Sequence, residues 1–323
     1  MCSLFGWLDY QGIIPHKVLR KLTQALANAA EERGTDAAGI SYIDEGKVVI
    51  YKRPKPAQKL HFNPPEGTKA VMGHTRMTTQ GNEKFNYNNH PFAGFAGDTS
   101  FAFAHNGVLW NDKELRKDKL IPDTHIETDS YAACQLIETQ DKLNFDSLKY
   151  MAETVEGNFT FTVLDDSNSL YIIKGSNPMC LLHFKDIGLY VYASTESIMK
   201  NALKRVGLHK FANERIITDE GDIIRIDRNG DITRSEFEPK LYRSKYMSWY
   251  DDPSYYNIHE EMLLAYCSCY GVDSSDVELL LEYGYTCDEI EEMLMDTNML
   301  HEALRDVKYM CGEDVYESYC GAF

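Results

Sequence analysis

The stretch that decides the fold stands at the start of the chain and reads Cys2-Ser3-Leu4-Phe5-Gly6-Trp7-Leu8. Residues 3–8 are a short apolar run, and they predict a strand at the terminus. The strand would carry Cys2 at its beginning. A methionine before a small residue is normally trimmed, so we expect the mature chain to begin with this cysteine.

A terminal cysteine holds a nucleophilic thiol and a free α-amine in one residue. An α-amine titrates near ~7.7–8.0, so it can take the proton of the thiol and return it to a leaving amine. This is the terminal-amine form of nucleophile activation. Met1-Cys2 alone is weak support for such chemistry, and the prediction depends on motifs further along the chain.

Five further blocks occur after Cys2 in a fixed order. Together they resemble the glutaminase domain of the class II, or N-terminal-nucleophile, glutamine amidotransferases, as found in glucosamine-6-phosphate synthase and amidophosphoribosyltransferase. Each block is short, but five in register form a strong joint signal over roughly residues 2–235. The blocks are Arg33-Gly34-Thr35-Asp36-Ala37-Ala38-Gly39, Gly73-His74-Thr75-Arg76-Met77-Thr78-Thr79-Gln80-Gly81, Asn88-Asn89-His90-Pro91, Ala104-His105-Asn106-Gly107 and Ile126-Glu127-Thr128-Asp129.

The resemblance implies a catalytic group of three residues. Cys2 would attack the side-chain amide of glutamine, giving a glutamyl thioester and ammonia. The side chain of Asn106 and the backbone N–H of Gly107 would form the oxyanion hole, where the loss of one donor typically costs ~10²–10³ in turnover.

The resemblance also implies the residues that bind the substrate. Arg76 would hold the α-carboxylate of L-glutamine, because a planar guanidinium matches a planar anion, and Thr79 would add a hydroxyl. Asp129 would pair with the α-ammonium. Arg33 and Asp36 would support the terminal cysteine.

Each of these residues also has an ordinary structural interpretation. Arg76 alone would be a solvated or salt-bridged arginine, and Asn106-Gly107 alone would be a hairpin turn. Asp129 would be an acidic residue in the first turn of a helix. We expect three histidines to be structural, since the α-amine supplies the proton transfer: His74, His90 and His105.

The chain departs from the family pattern at four positions. Met77 stands where the sugar-synthesising relatives usually place tryptophan, and Gln80 where they often have histidine. Both lie in the loop expected to close over glutamine and gate ammonia. Thr35 and Ala37 replace larger or hydroxylated residues.

The first 240 residues predict an α+β fold, because strands occur without regular β-α-β alternation and helices occur in blocks. The resemblance implies a four-layer αββα sandwich of the N-terminal-nucleophile hydrolase type. Helical spacing predicts helices at Pro15–Glu32, Thr128–Glu138 and Asp146–Val155. Predicted strands after the first are Gly39–Tyr42, Val48–Lys52, Ala70–His74, Phe101–Ala104, Phe159–Leu164, Leu170–Ile173, Leu181–Phe184, Tyr190–Ala193 and Ile223–Ile226.

Residues 241–323 predict a small all-α module after a Tyr- and Ser-rich linker at Leu241–Tyr256. Ser275-x-x-Glu278 and Thr286-x-x-Glu289 match the capping-box pattern, and Gly284 suits a helix C-terminus. The charge of the chain, −17, is concentrated here: from Tyr242 onward eighteen acidic residues face four basic ones, a net −14. Such acidity argues against nucleic-acid or anionic-membrane binding and leaves a basic protein partner open.

The composition predicts neither a metal nor another cofactor. None of the eight cysteines forms Cys-x-x-Cys, and Cys267-x-Cys269 without a second pair is a weak zinc signal. No apolar run approaches the ~20 residues of a membrane span, and the N-terminus lacks a secretory signal. We therefore expect a cytoplasmic protein.

Three functions remain open. In the first, the chain is a glutaminase subunit that passes ammonia to a separate synthase, with residues 241–323 serving in docking or as a homo-oligomer contact. In the second, it is a free-standing amidohydrolase acting on glutamine or another γ-glutamyl compound. The third possibility, a non-catalytic glutamine-binding protein, is disfavoured by the intact Cys2, Asn106, Gly107 and Asp129.

Overall fold

The computed structural model describes residues 2–239, 263, 267, 272–285, 287–294 and 297–310. The predicted linker at Leu241–Tyr256 lies outside these residues. By its internal contacts the chain divides into two compact units, Met1–Tyr242 and Arg243–Phe323.

The first unit contains both strands and helices. Its strands are β1 (Ser3–Asp9), β2 (Ala37–Asp44), β3 (Lys47–Arg53), β4 (Ala70–Arg76), β5 (Phe92–Ala96), β6 (Thr99–Leu109), β7 (Gly157–Asp165), β8 (Leu170–Lys174), β9 (Cys180–Phe184), β10 (Leu189–Ala193), β11 (Glu214–Ile216), β12 (Asp222–Ile226) and β13 (Ile232–Glu236). Its helices are α1 (His16–Ala30), α2 (Asp112–Lys117), α3 (Ser130–Glu138), α4 (Phe145–Thr154) and α5 (Glu196–Val206).

These strands form two antiparallel sheets. The first sheet has seven strands in the order β11-β9-β10-β1-β4-β2-β3, and the second has six in the order β13-β12-β8-β7-β6-β5. The N-terminal strand β1 is the middle strand of the first sheet, paired with β10 on one side and β4 on the other. The chain start is therefore held at the centre of the fold.

Three buried apolar clusters stack the elements in layers. One joins α1 and α5 to the first sheet, one fills the space between the two sheets, and one joins the second sheet to α3 and α4. The order helix, sheet, sheet, helix is consistent with the predicted sandwich. Representative members are Trp7, Leu22 and Ile198 in the first cluster, Leu4, Leu8 and Ala104 in the second, and Phe103, Leu136 and Leu148 in the third.

The alternation of side chains along β1 decides which way Cys2 faces. Leu4 and Leu8 lie in the core between the sheets, whereas Phe5 and Trp7 lie in the core under α1 and α5. Because strand side chains alternate between the two faces, Cys2 falls on the same face as Leu4. The thiol is thus directed into the space between the sheets.

In the first unit the sequence patterns missed several elements, of which α5 is the longest. Thr195 caps its N-terminus by accepting from the backbone N–H of Ile198, at 3.3 Å. Gly207 ends it in the left-handed region at φ 79°. The sequence contains the signals of this helix: the capping threonine, the closing glycine and the helical spacing of the apolar residues Ile198, Ala202 and Leu203. The others missed are α2, β5, β11 and β13.

The second unit contains helices α6 (Ser274–Tyr283), α7 (Cys287–Leu294) and α8 (Thr297–Met310). They share an apolar cluster that includes Val277, Leu280 and Leu304. Gly284 ends α6 at φ 108°, as predicted. Among the described residues, no helix has the length and apolar character needed to cross a membrane.

The predicted capping box at Ser275-x-x-Glu278 is wrong. The N-cap of helix α6 lies two residues earlier, at Asp273, whose carboxylate accepts from the backbone N–H of Ser275 at 3.0 Å. An aspartate accepts this bond as well as a serine does, so the helix starts at the first good cap available. The second predicted box begins at Thr286, outside the described residues.

Candidate active site

Cys2 lies buried directly before β1, with 9% of its surface exposed. Its Sγ lies 3.4 Å from both the backbone N and the carbonyl O of Met77. Burial raises the pKa of the Cys2 thiol, and the hydrogen bond with the Met77 backbone partly opposes this. The thiol is therefore protonated near neutral pH, so a nucleophilic role requires a base to remove the proton.

Arg33 and Asp36 hold the backbone around Cys2. The Nε of Arg33 donates to the carbonyl of Cys2 at 3.0 Å. The carboxylate of Asp36 accepts from the backbone N–H of Thr78 at 2.7 Å, and its own N–H donates to the carbonyl of Arg76 at 3.0 Å. Arg33 thus fixes the backbone of Cys2, and Asp36 fixes the backbone on both sides of Met77, which contacts the thiol.

Arg76 ends β4 and is only 3% exposed, so the interpretation as a solvated arginine is wrong. Its Nη1 donates to the Asn89 side chain at 2.7 Å, and its Nη2 donates to the carbonyls of Gln80 and Gly81. Burial lowers its pKa, while Cys2 and then Asp129 act in the opposite direction. Arg76 is a buried cation within electrostatic reach of the thiol and of the Asp129 carboxylate.

Asn106 and Gly107 lie inside β6, so the interpretation of this pair as a hairpin turn is wrong. Ala104 belongs to the core between the sheets, and Asn106, two residues later, falls on the same face. Asn106 is 1% exposed, and neither polar atom of its side chain has a hydrogen-bond partner among the described residues. A buried amide without partners is uncommon, and it leaves both a donor and an acceptor for a ligand.

The peptide between Asn106 and Gly107 is held by a residue that sequence reasoning missed. Asn177 donates its side-chain amide to the carbonyl of Asn106 at 2.8 Å. Because this carbonyl and the N–H of Gly107 belong to one planar peptide, the bond also fixes the direction of that N–H. Asn177 stands between Ser176 and Pro178, an ordinary turn sequence, so no local signal marked it.

Gly107 cannot be replaced without distortion. Its φ is +145°, and an added Cβ would lie 1.8 Å from the carbonyl O of Asn158 on the neighbouring strand. We expect Gly107→Ala to lower the free energy of unfolding by at least ~1–3 kcal/mol, the usual size of one backbone strain, measured by chemical denaturation. Gly46→Ala is the control, since Gly46 also has a positive φ but no atom within 4 Å of the added Cβ. Because both glycines have a positive φ, equal losses in the two variants would contradict the added cost of the close contact with Asn158 at Gly107.

Asp129 stands at the N-cap of α3 and is 3% exposed. Its Oδ2 accepts from the backbone N–H of Leu109 at 2.6 Å, and its Oδ1 accepts from the hydroxyl of Ser130 at 3.3 Å. The residue stands directly before the helix, at the N-cap, and not in the first turn where its ordinary interpretation places it. Its carboxylate, however, binds the end of β6 rather than capping its own helix.

Three buried histidines join the two sheets and α3. The Nε2 of His74 donates to the carbonyl of His105 at 2.9 Å, and the Nδ1 of His105 is hydrogen-bonded with the hydroxyl of Ser130 at 2.8 Å. The ring centroids of His74 and His90 lie 4.1 Å apart. Burial lowers the pKa of all three, that of His74 to about 3, so they are neutral near pH 7. The bond between His74 and His105 brings β4 and β6, and with them Arg76 and Asn106, to the same end of the sheets.

Thr79 differs from the other predicted site residues. All eight lie within the described part of the chain, and only Thr79 is exposed. It belongs to the segment 77–81 after β4, in which the side chain of Gln80 donates to Asp112 on α2 at 3.1 Å. Its predicted contact with the substrate stays a prediction.

Among the described residues, no group of three His, Cys, Asp or Glu side chains could hold a metal ion. Cys267, the first member of the weak zinc signal, is buried in the apolar cluster of the second unit. Three cysteines fall outside the part of the chain that the structure describes: Cys269, Cys311 and Cys320.

A sequence model of the class II glutamine amidotransferases matches residues 1–191, more than half of the chain. The chain belongs to this family. The matched range contains all eight predicted site residues, from Cys2 to Asp129, and also Asn177. The matched part is thus a class II glutamine amidotransferase domain, and a second compact unit lies C-terminal to it.

Curated relatives resemble this amidotransferase domain over part of their length. The glutamine–fructose-6-phosphate aminotransferase (isomerizing) of Staphylococcus epidermidis is 28% identical over 188 residues, which is 55% of this chain and 30% of that protein. The same enzyme of Staphylococcus aureus is 28% identical over 194 residues, 56% of this chain and 30% of that protein. The match thus spans about a third of the curated relatives.

Solved structures share the fold. The glutamine phosphoribosylpyrophosphate amidotransferase of B. subtilis, complexed with ADP and GMP, aligns with a TM-score of 0.56 at 20% identity, over 82% of this chain and 58% of that one. A structure described as the allosteric regulatory enzyme of purine biosynthesis aligns with a TM-score of 0.57 at 21% identity, over 75% and 50%. At these identities the likeness concerns the fold alone.

Proposed function

We propose that this amidotransferase hydrolyses the side-chain amide of L-glutamine to glutamate and ammonia through a thioester on Cys2. The main support for the proposal is the Asn106 side chain, which is buried and has no hydrogen-bond partner among the described residues. It lies on the face of β6 that is directed into the space between the sheets, and Cys2 is directed into the same space. An amide donor in that place, beside the Gly107 N–H, suits the oxygen of a tetrahedral intermediate.

The proposed reaction has two halves. The Cys2 sulfur forms a bond to the amide carbon of glutamine, and the C–N bond then breaks as the nitrogen leaves with an added proton as ammonia. Water next attacks the thioester, releases glutamate and returns the proton to sulfur. Because burial raises the thiol pKa, the α-amine of a terminal Cys2 is the proposed proton acceptor and donor.

Recognition of the free amino acid is assigned to two buried charges. Arg76 binds the α-carboxylate and Asp129 the α-ammonium, with Thr79 closing from the segment 77–81. Both charges act on the pKa of Cys2, Arg76 lowering it and Asp129 raising it, so they lie near the thiol. A cation site and an anion site together distinguish free glutamine from the amide of a protein side chain, which has no free α-carboxylate or α-ammonium.

The test is ammonia release from L-glutamine by the full-length protein. We expect steady release, abolished by a diazo-ketone glutamine analogue that alkylates Cys2. If L-glutamine is inert and another γ-glutamyl amide is cleaved, the chain is a free-standing amidohydrolase. Binding of L-glutamine by calorimetry without any turnover would make it a glutamine-binding protein.

The proposed acceptor of the ammonia is a separate synthase, reached in the cytoplasm through residues 241–323, which serve as docking or homo-oligomer module. The charge of this part, −14 from Tyr242 onward, favours a basic partner surface and disfavours nucleic acid and membranes. Retention of a synthase by the immobilised full-length protein at low salt, and its release at high salt, would support this assignment.

A further inference from the structure

Lys52 near the end of β3 is bonded to a segment that follows β4. Its Nζ donates to the carbonyl of Asn89 and, at 3.0 Å, to the carbonyl of Pro91. The carbonyl of Lys52 accepts from the side chain of Asn86 at 3.0 Å. Its Nζ also lies 4.9 Å from the ring centroid of Phe92. The residue therefore holds the segment 86–92 at several points.

Gly39 makes room for this arrangement. Strand β2 lies between β3 and β4, and Gly39 pairs with Lys52 on one side and with His74 on the other. A Cβ on Gly39 would lie 2.5 Å from the carbonyl O of His90 and 2.7 Å from the Cβ of Lys52. The segment 86–92 therefore packs directly on the sheet at Gly39, where no side chain stands in the way.

Asn89 connects Lys52 to Arg76. Its backbone carbonyl accepts from Lys52, and its side-chain oxygen accepts from the Nη1 of Arg76 at 2.7 Å. We propose that Lys52 is a positioning residue for glutamine binding: it fixes Asn89, and Asn89 holds the Arg76 guanidinium in the direction of the substrate carboxylate. The proposal rests on the proposed role of Arg76.

The charge on Lys52 gives the contact a pH dependence. Burial lowers the pKa of Lys52 to about 8; Cys134 on α3 acts in the opposite direction, and Arg76 acts with burial. Two histidines feel the charge of Lys52, His74 on β4 and His90 in the segment; burial lowers their pKa values, so they are neutral at this pH. Below pH 8 the ammonium makes charge-assisted bonds to the two carbonyls, and above pH 8 a weaker amine replaces it.

The experiment compares Lys52→Met with Lys47→Met, an exposed lysine on the same strand. We expect Lys52→Met to raise the KM for L-glutamine about tenfold at pH 7 with kcat within about twofold of wild type, as for a lost ground-state contact. Lys47→Met should leave both constants unchanged. The ratio of the KM values of Lys52→Met and wild type should shrink above pH 8, because the wild type loses its charge there.

Hydrogen exchange gives a readout that does not depend on turnover. Lys52→Met and Lys52→Gln should speed exchange of the backbone amides in the segment 86–92 and leave those of β7 and β8 unchanged. Unchanged exchange in the Lys52 variants would overturn the positioning role. Faster exchange in Lys52→Met, combined with a KM for L-glutamine equal to that of Lys47→Met, would overturn it as well. A wild type that shows this protection but no glutamine hydrolysis would refute the proposed function alone. If it also fails to bind L-glutamine in calorimetry, the role of Lys52 in glutamine binding is refuted as well, while the contact itself would stand.

Discussion

Cys2→Ala should release ammonia from L-glutamine at least ~10⁴-fold more slowly than the wild type, because the proposed thioester then has no sulfur on which to form. Ammonia production in a coupled assay measures the loss. Cys180→Ala is the matched control: Cys180 is also buried on the first sheet, but it belongs to the core under α1 and α5. The fold should survive in both variants, since alanine fills most of the cysteine volume.

The same experiment tests the terminal amine. Mass spectrometry of the active wild type should show a chain that begins at Cys2 and takes up one equivalent of the diazo-ketone analogue on that residue. Retained Met1 on active protein would refute the role of the α-amine. Ammonia release by Cys2→Ala would refute the nucleophile itself.

Asn106→Ala and Asp129→Ala should distinguish a residue that stabilises the transition state from one that binds the substrate in the ground state. We expect Asn106→Ala to lower kcat by ~10²–10³ with a small change in KM, because an oxyanion donor acts as the negative charge develops. Asp129→Ala should instead raise the KM for L-glutamine far more than Asn106→Ala does. Steady-state kinetics over a range of glutamine concentrations distinguishes the two patterns.

The control for this pair is Asn63→Ala, an exposed asparagine whose side chain accepts from Arg20 at 3.2 Å, away from the site. It should leave kcat and KM unchanged. Since the Asp129 carboxylate also binds the N–H of Leu109, circular dichroism must show an unchanged fold for Asp129→Ala. If Asn106→Ala and Asp129→Ala change kcat and KM equally, the assignment of Asn106 to the transition state and of Asp129 to substrate binding is refuted.

The sequence could name candidate site residues, but it could not name every residue that holds them in place. Cys2, Arg76, Asn106 and Asp129 stand in short blocks whose order carries the information, and the structure buries all four. Asn177 could not be found in this way, because its contact with Asn106 joins residues 71 positions apart and its neighbours are ordinary turn residues. Long-range hydrogen bonds of this kind leave no local pattern.

The errors in secondary structure have a similar origin. Apolar alternation found the central strands, whose two faces lie in different cores, and also the seven-residue edge strand β3. It did not find β11 or β13, which are shorter edge strands of three and five residues without a buried residue. At α6 the pattern placed the cap at Ser275, because Glu278 completes a box there, whereas the chain had already turned at Asp273.

The unpartnered amide of Asn106 has a consequence for how the thermal stability of this protein can be increased. A buried polar group without a partner costs ~1–3 kcal/mol, whereas an apolar group of the same shape carries no such penalty. Selection for heat resistance alone would therefore favour leucine at this position. If the amide serves the reaction as proposed, a thermostable variant obtained by that route would be more stable but inactive. Stabilising substitutions should therefore be made in the helical layers instead.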